Sequence, residues 1–220
     1  MTVRWSLKFV RVAACRRSVF SRILLILSIV LAVVALVGRG GVLAQTAPRE
    51  DSAIVVHVPD AELIDQDGQR VHLYSDLVKG RKVVVINTMF TTCGTICPLI
   101  GVRMSRLQQS LGACRDHDYD LVSITVDPTA DTPERLREWG RKFGIGPCWR
   151  LLTGPKADVD AALRTLHLLT PDKLSHTPSA LIGRDGADDW TLCNVLASQE
   201  NLVRIVRKKM SAAVAQRQTR

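Results

Sequence analysis

The chain has 220 residues, 46% of them hydrophobic, 5% aromatic and 23% charged, with a formal net charge of +9. This balance fits one globular domain with an appendage and excludes a disordered, collagen-like or disulfide-dense miniature protein. The basicity lies at the ends: residues 1–22 carry six basic residues and no acid, residues 203–220 carry six more and no acid, and the 180 residues between sum to −3, so no nucleic-acid partner is expected.

Residues 1–22 read as a basic cytoplasmic n-region, followed at 23–38 by the uncharged run ILLILSIVLAVVALVG. Its 16 residues fall short of the roughly 20 that span a bilayer. Val42-Leu43-Ala44 supplies small residues for cleavage. Two readings stay open, a cleaved export signal and a retained N-terminal anchor. Both place the body outside the cytoplasm, on the periplasmic face of the inner membrane or free in the periplasm. Residues 39–53 read as a polar linker, 54–210 as the folded domain and 211–220 as a basic tail.

Within the domain, 54–58, 62–65 and 70–73 are strand-like, and Asp67-Gly68 joins the last two as a hairpin. The β-branched run at 82–89 (KVVVINTM) fits a strand buried on both faces. From 95 to 111, Ile96, Leu99, Ile100, Met104, Leu107 and Leu111 share one helical face. A second buried strand follows at 121–126, and Asp131-Thr132-Pro133-Glu134 starts a helix that stops at Gly144, with Asp127 and Asp131 read as turn and cap residues. A strand at 149–152, a helix at 157–168, strands at 180–182 and 190–195 around Asp185-Gly186, and a helix from 198 to about 210 complete the chain. In that last helix Ile205, Val206 and Met210 should pack while the interleaved basic residues meet solvent. This order predicts an α/β domain of thioredoxin-like form: a central mixed sheet, helices on both faces and an N-terminal β-hairpin.

Of six cysteines, Cys15 precedes the apolar run, while Cys93, Cys97, Cys114, Cys148 and Cys193 would face an oxidising compartment. Five is odd, so at least one is free, metal-bound or paired with another molecule. Cys93 and Cys97 sit where the buried strand turns into a helix, at a spacing that puts both on one face. A helix N-terminus favours thiolate. The pair is one residue longer than a Cys-x-x-Cys redox motif, and could grip Cu(I) or Zn or close a disulfide. His57, His72, His117 and His167 read as surface or packed residues. His176 precedes Thr177-Pro178 on the loop expected to cross the cysteines, which makes it the candidate third donor.

The stretches FTTCGTICP (90–98), SITVDPTADTPERL (123–136), WRLLTG (149–154) and HTP (176–178) resemble the Sco/SenC family over about residues 50–210. The resemblance implies a thioredoxin-like fold and, usually, a membrane anchor. It implies a copper cofactor, Cu(I) or Cu(II), with Cys93, Cys97 and His176 as ligands. The function it implies is a metallochaperone for a respiratory oxidase copper centre. The partner would be a copper-accepting oxidase subunit or another copper chaperone, and the membrane would be met through the N-terminal segment. The alternative is an extracytoplasmic thiol–disulfide oxidoreductase in which Cys93 attacks and Cys97 resolves. A peroxidase with Cys93 as nucleophile is a weaker third reading. This chain departs from the family at Thr95 and Ile96, where many members carry an acid, and at Pro178 and Ser179, where aromatic and acidic residues are usual. Cys114, Cys148 and Cys193 lie outside the motif.

Overall fold

A computed structural model describes residues 51–80, 83–114, 118–187 and 190–218. The n-region, the apolar run at 23–38, most of the linker and His117 lie outside the described residues. Those described belong to one unit, Arg49–Arg220. Among them no helix is long and apolar enough to cross a membrane.

Eight strands form one mixed sheet: β1 (Asp51–Ile54), β2 (Glu62–Asp65), β3 (Arg70–His72), β4 (Val84–Met89), β5 (Asp120–Thr125), β6 (Trp149–Thr153), β7 (Ser179–Gly183) and β8 (Trp190–Asn194). Their order is β1-β8-β7-β4-β5-β6-β2-β3. β4, β5 and β6 are parallel, and β7 runs antiparallel to β4. The helices are α1 (Ile96–Leu111), α2 (Pro133–Phe143), α3 (Lys156–Thr165) and α4 (Gln199–Gln218), with a 3₁₀ turn at Lys173–Ser175. This is the expected mixed sheet covered on both faces, with the β2–β3 hairpin appended at one edge.

The two central strands explain the layering. All six residues of β4 and all six of β5 are buried, so both faces need cover. On one face Val85, Met89, Leu121 and Ile182 meet Ile100, Met104 and Leu107 of α1, Leu136 and Trp139 of α2, and Leu202, Ile205 and Val206 of α4. On the other, Ile86, Val122 and Leu181 meet Val159 and Leu163 of α3. Polar strand residues inside are satisfied: the Trp149 indole donates to the Ser123 hydroxyl, which donates to Asn87 Oδ1.

Three sequence expectations shift. β1 begins at Asp51, ahead of the 54–58 run, because its antiparallel register on β8 is Asp51↔Cys193 to Ile54↔Trp190. Val56 and Val58 are buried against the α3-side core outside any ladder, so alternating burial there imitates a strand. Asp131 does not cap α2. The N-cap is Thr132, whose hydroxyl accepts the Arg135 amide, and Pro133, Glu134 and a left-handed Gly144 (φ 64°) complete the helix signals. α4 continues to Gln218.

Cys114 and Cys148 form a disulfide, with Cα atoms 6.1 Å apart and a sequence separation of 34. It ties the chain after α1 to the start of β6. Cys193 is a free thiol, 5% exposed in the core, and burial pushes it up to about 12. A 34-residue loop removed from the unfolded ensemble stabilises the fold by about 3–4 kcal/mol. Cys114→Ser/Cys148→Ser should therefore lose about that much in denaturant unfolding under non-reducing conditions. An unchanged midpoint would show that the bridge constrains nothing.

Candidate metal centre

β4 ends at Met89, and the chain turns over Phe90–Thr95 into α1, held by the Cys93 N–H on the Phe90 carbonyl at 3.3 Å. The residue at the N-cap, Thr95, gives no side-chain cap. Cys93 takes that role, since its sulfur accepts the Cys97 backbone N–H at 3.3 Å, with the Thr95 hydroxyl 3.6 Å away. The four-residue spacing therefore has a local structural use. The first sulfur satisfies one of the open N–H groups of the helix that carries the second.

The two thiols differ sharply. Cys97 is fully buried and Cys93 is partly exposed. Burial raises the Cys93 thiol, but hydrogen bonds from the Cys97 amide and thiol and from Thr95 outweigh it and bring the group down to about 7. Burial pushes the Cys97 thiol far up, and hydrogen bonding to Cys93 adds to the rise. Near neutral pH the outer sulfur is available as thiolate and the inner one holds its proton.

His176 follows the 3₁₀ turn and is 4% exposed, with Nε2 3.5 Å from Cys97 Sγ. Its ring meets Phe90 edge-on, centroids 5.4 Å apart. Burial lowers its basicity, so the imidazole is neutral at pH 7, and the Lys173 carbonyl offsets part of that effect. Its Nδ1 is buried without a hydrogen-bond partner. Nε2 faces the Cys97 sulfur and is the nitrogen that can serve as a donor, with the Lys173 carbonyl near the other side of the ring.

Of the three residues singled out, the structure brings Cys97 and His176 into contact and sets Cys93 on the Cys97 amide. Among the described residues no three His, Cys, Asp or Glu side chains already close on one point. The donor chemistry fits a soft ion: two sulfurs and one neutral imidazole, with no hard oxygen among them. His57, His72 and His167 are exposed elsewhere; His167 lies past the end of α3 with a φ of 58°.

What sequence reading missed is the tertiary role of Asp127 and Asp131, although Asp127 does build the turn it was read into, with the Thr129 hydroxyl and the Ala130 and Asp131 amides on it. Asp131 is fully buried and accepts the Thr91 N–H at 3.0 Å, the Thr91 hydroxyl at 2.5 Å and the Thr125 hydroxyl at 2.5 Å. It fastens the cysteine loop to the end of β5. Asp127 accepts the Lys173 ammonium at 2.6 Å, three residues before His176, and the Lys173 N–H protons hold the Asp127 carboxyl below its usual range. The two acids of one loop thus locate the cysteine segment and the histidine segment. A missing cation near Asp131 in sequence could not reveal this, because its partners are hydroxyls and an amide.

A family model described as SCO1/SenC matches residues 42–218. A SCO1 protein homolog of Bacillus subtilis (strain 168) is 32% identical over 131 residues, 56% of this chain and 66% of its own length, so the chain spans just under two thirds of that relative. The structure of BsSco, described as a member of the Sco family of cytochrome c oxidase assembly proteins and as having a disulfide switch, superposes with a TM-score of 0.61 at 25% identity, over 73% of this chain and 96% of that one. Arabidopsis thaliana ScoI, solved with copper bound, gives a TM-score of 0.58 at 21% identity over 71% and 99% of the two chains, a likeness of fold. The match extends over the strand-to-helix cysteine turn, the Asp127–Asp131 loop and the His176 loop alike, and the chain belongs to the SCO1/SenC family.

Proposed function

We propose that this chain carries a copper ion on Cys93, Cys97 and His176 and hands it to a copper-accepting oxidase subunit, directly or through another copper chaperone. The observation that carries the reading is the meeting of Cys97 Sγ and His176 Nε2 at 3.5 Å, 79 residues apart in sequence, directly beneath a second sulfur. The oxidase destination is taken from the family relatives, BsSco among them.

The residues divide the work. Cys93 is partly exposed and close to its thiolate form, so it is the donor that meets arriving copper. Cys97 must shed its proton to bind, and its burial makes that proton a load on affinity. Copper binding therefore releases protons and weakens as pH falls. His176 stays neutral and adds a nitrogen without competing for a proton. Two soft sulfurs dominate Cu(I) affinity, and the nitrogen matters most for Cu(II).

A second reading rests on the asymmetry of the thiols. An exposed thiol near 7 beside a buried, protonated one is also the layout of a dithiol reductant. Cys93 thiolate would attack one sulfur of a client disulfide. Cys97, once deprotonated, would then displace the second bond, leaving two client thiols and a Cys93–Cys97 disulfide. That disulfide has no thiolate for copper, so the two activities exclude each other on one molecule.

Reduced protein should bind one copper, followed by sulfur-to-copper charge-transfer absorption. Cys93→Ala or Cys97→Ala should weaken Cu(I) binding by at least about 100-fold, since each removes one of two soft donors. His176→Ala should keep most Cu(I) and lose most Cu(II). Full copper stoichiometry in the double cysteine variant would sink the site, and rapid disulfide reduction without copper binding would move the function to the second reading.

Alkylation of reduced protein should follow the outer thiol. Its pKa lies below the ordinary thiol value of 9.0, at about 7, so the Cys93 rate should climb between pH 6 and pH 8 with a midpoint near 7. Cys97 and Cys193 should stay unreactive across that window. A Cys93 midpoint near 9 would contradict the hydrogen-bonded geometry.

A further inference from the structure

The site does not account for the outer face of α1. That helix carries its buried face on Cys97, Ile100, Met104 and Leu107, which leaves Leu99, Val102, Arg103, Arg106 and Ser110 on the outer side. Leu99 is 56% exposed and Val102 40%. Alongside, α4 presents exposed Arg204, Arg207 and Lys208. The two helices meet where the Arg207 guanidinium donates to the Ser110 carbonyl at 2.8 Å, beside an open groove of about 610 Å³. Arg103 is close enough to act electrostatically on Glu200, the only acid on either helix. Against it stand Arg103, Arg106, Arg204, Arg207, Lys208 and Lys209. Outside α1 and α4, residues 51–220 sum to −4, so the domain is electrically polarised with this face positive.

The entry point of the chain says what this face meets. Asp51 opens β1 and lies against α4: its carboxylate accepts the Asn201 side-chain amide at 3.2 Å and lies 3.7 Å from Arg204. Only 12 residues, 39–50, separate Asp51 from the apolar run that ends at Gly38. Even fully extended they reach about 40 Å. Were residues 23–38 retained as an anchor, the linker would tether Asp51 within that reach of a bilayer.

We propose that the α1–α4 face docks on the surface of an anionic phospholipid bilayer, its guanidinium and ammonium groups on headgroup phosphates and Leu99 and Val102 toward the interface. Short-range attraction of this kind adds with each cation and is screened by salt. Along α1 the groove at Ser110 lies about 20 Å from Cys97, whereas Leu99 lies within one helical turn of it, so the docked face would run from the groove to the rim of the metal centre.

The full chain, reconstituted in nanodiscs, tests this with a water-soluble amine-acylating reagent, reading Lys208 against Lys156 on α3 as internal reference. In discs containing phosphatidylglycerol the Lys208:Lys156 labelling ratio should fall at least about threefold relative to phosphatidylcholine discs. About 0.5 M salt should restore it, because the Debye length then drops to a few ångströms. Arg103→Glu/Arg106→Glu should restore it too, with Lys156 labelling unchanged. Phosphatidylcholine discs with added inorganic phosphate should show no shielding. An equal ratio in the two disc types, or shielding that survives salt and the charge reversal, would overturn the proposal, as would equal shielding by free phosphate.

Discussion

The geometry of the site depends on one buried carboxylate. Asp131 is held by the Thr91 amide, the Thr91 hydroxyl and the Thr125 hydroxyl. Removing it would leave the buried Thr125 hydroxyl without its acceptor, at about 1–3 kcal/mol, and would also release the part-buried Thr91 amide and hydroxyl. That is more than the Asp127–Lys173 pair contributes, because Lys173 is 44% exposed and such a pair is worth about 1 kcal/mol or less. Asp131 therefore fixes the cysteine loop against the sheet, and Asp127 acts as a positional restraint on the histidine loop. Both come from the short turn after β5, the strand beside the one that delivers the cysteines. A single turn thus sets the spacing of donors that lie 79 residues apart.

The second constraint is the difference between the two sulfurs. It follows from where α1 begins. Cys93 sits just before the helix and receives its open amide, whereas Cys97 is one turn in and points into the core with Ile100 and Met104. The same arrangement serves a metal carrier and a dithiol reductant, so the thiols alone do not separate the two. His176 does. A disulfide exchange needs no imidazole against the inner sulfur, whereas a copper site gains a third donor from it.

Much of this was legible in the sequence, and for identifiable reasons. β4 and β5 are continuous apolar runs, α1 has clean helical spacing, and Pro133 and Gly144 bracket α2, so local composition and structure agree. Cys93, Cys97 and His176 stood out by type and place. The 3₁₀ turn at Lys173–Ser175 and the Asp127–Lys173 contact were invisible because they depend on a loop crossing the sheet. Asp131 was misread because Asp before Thr-Pro-Glu is an ordinary cap signal, and only the tertiary position of Thr91 draws it away. The Cys114–Cys148 bridge could not be chosen from spacing among five cysteines. The run at 54–58 alternates as a strand does, yet its buried valines pack without a ladder.

The account stands on Cys93, Cys97 and His176 forming one centre, and copper-edge X-ray absorption on the reduced, copper-loaded full chain tests that most directly. The account predicts two sulfur neighbours and one imidazole nitrogen about the metal, with the nitrogen lost and both sulfurs kept in His176→Ala. A neighbour shell of nitrogen and oxygen alone, or a nitrogen that persists unchanged in His176→Ala, would contradict it.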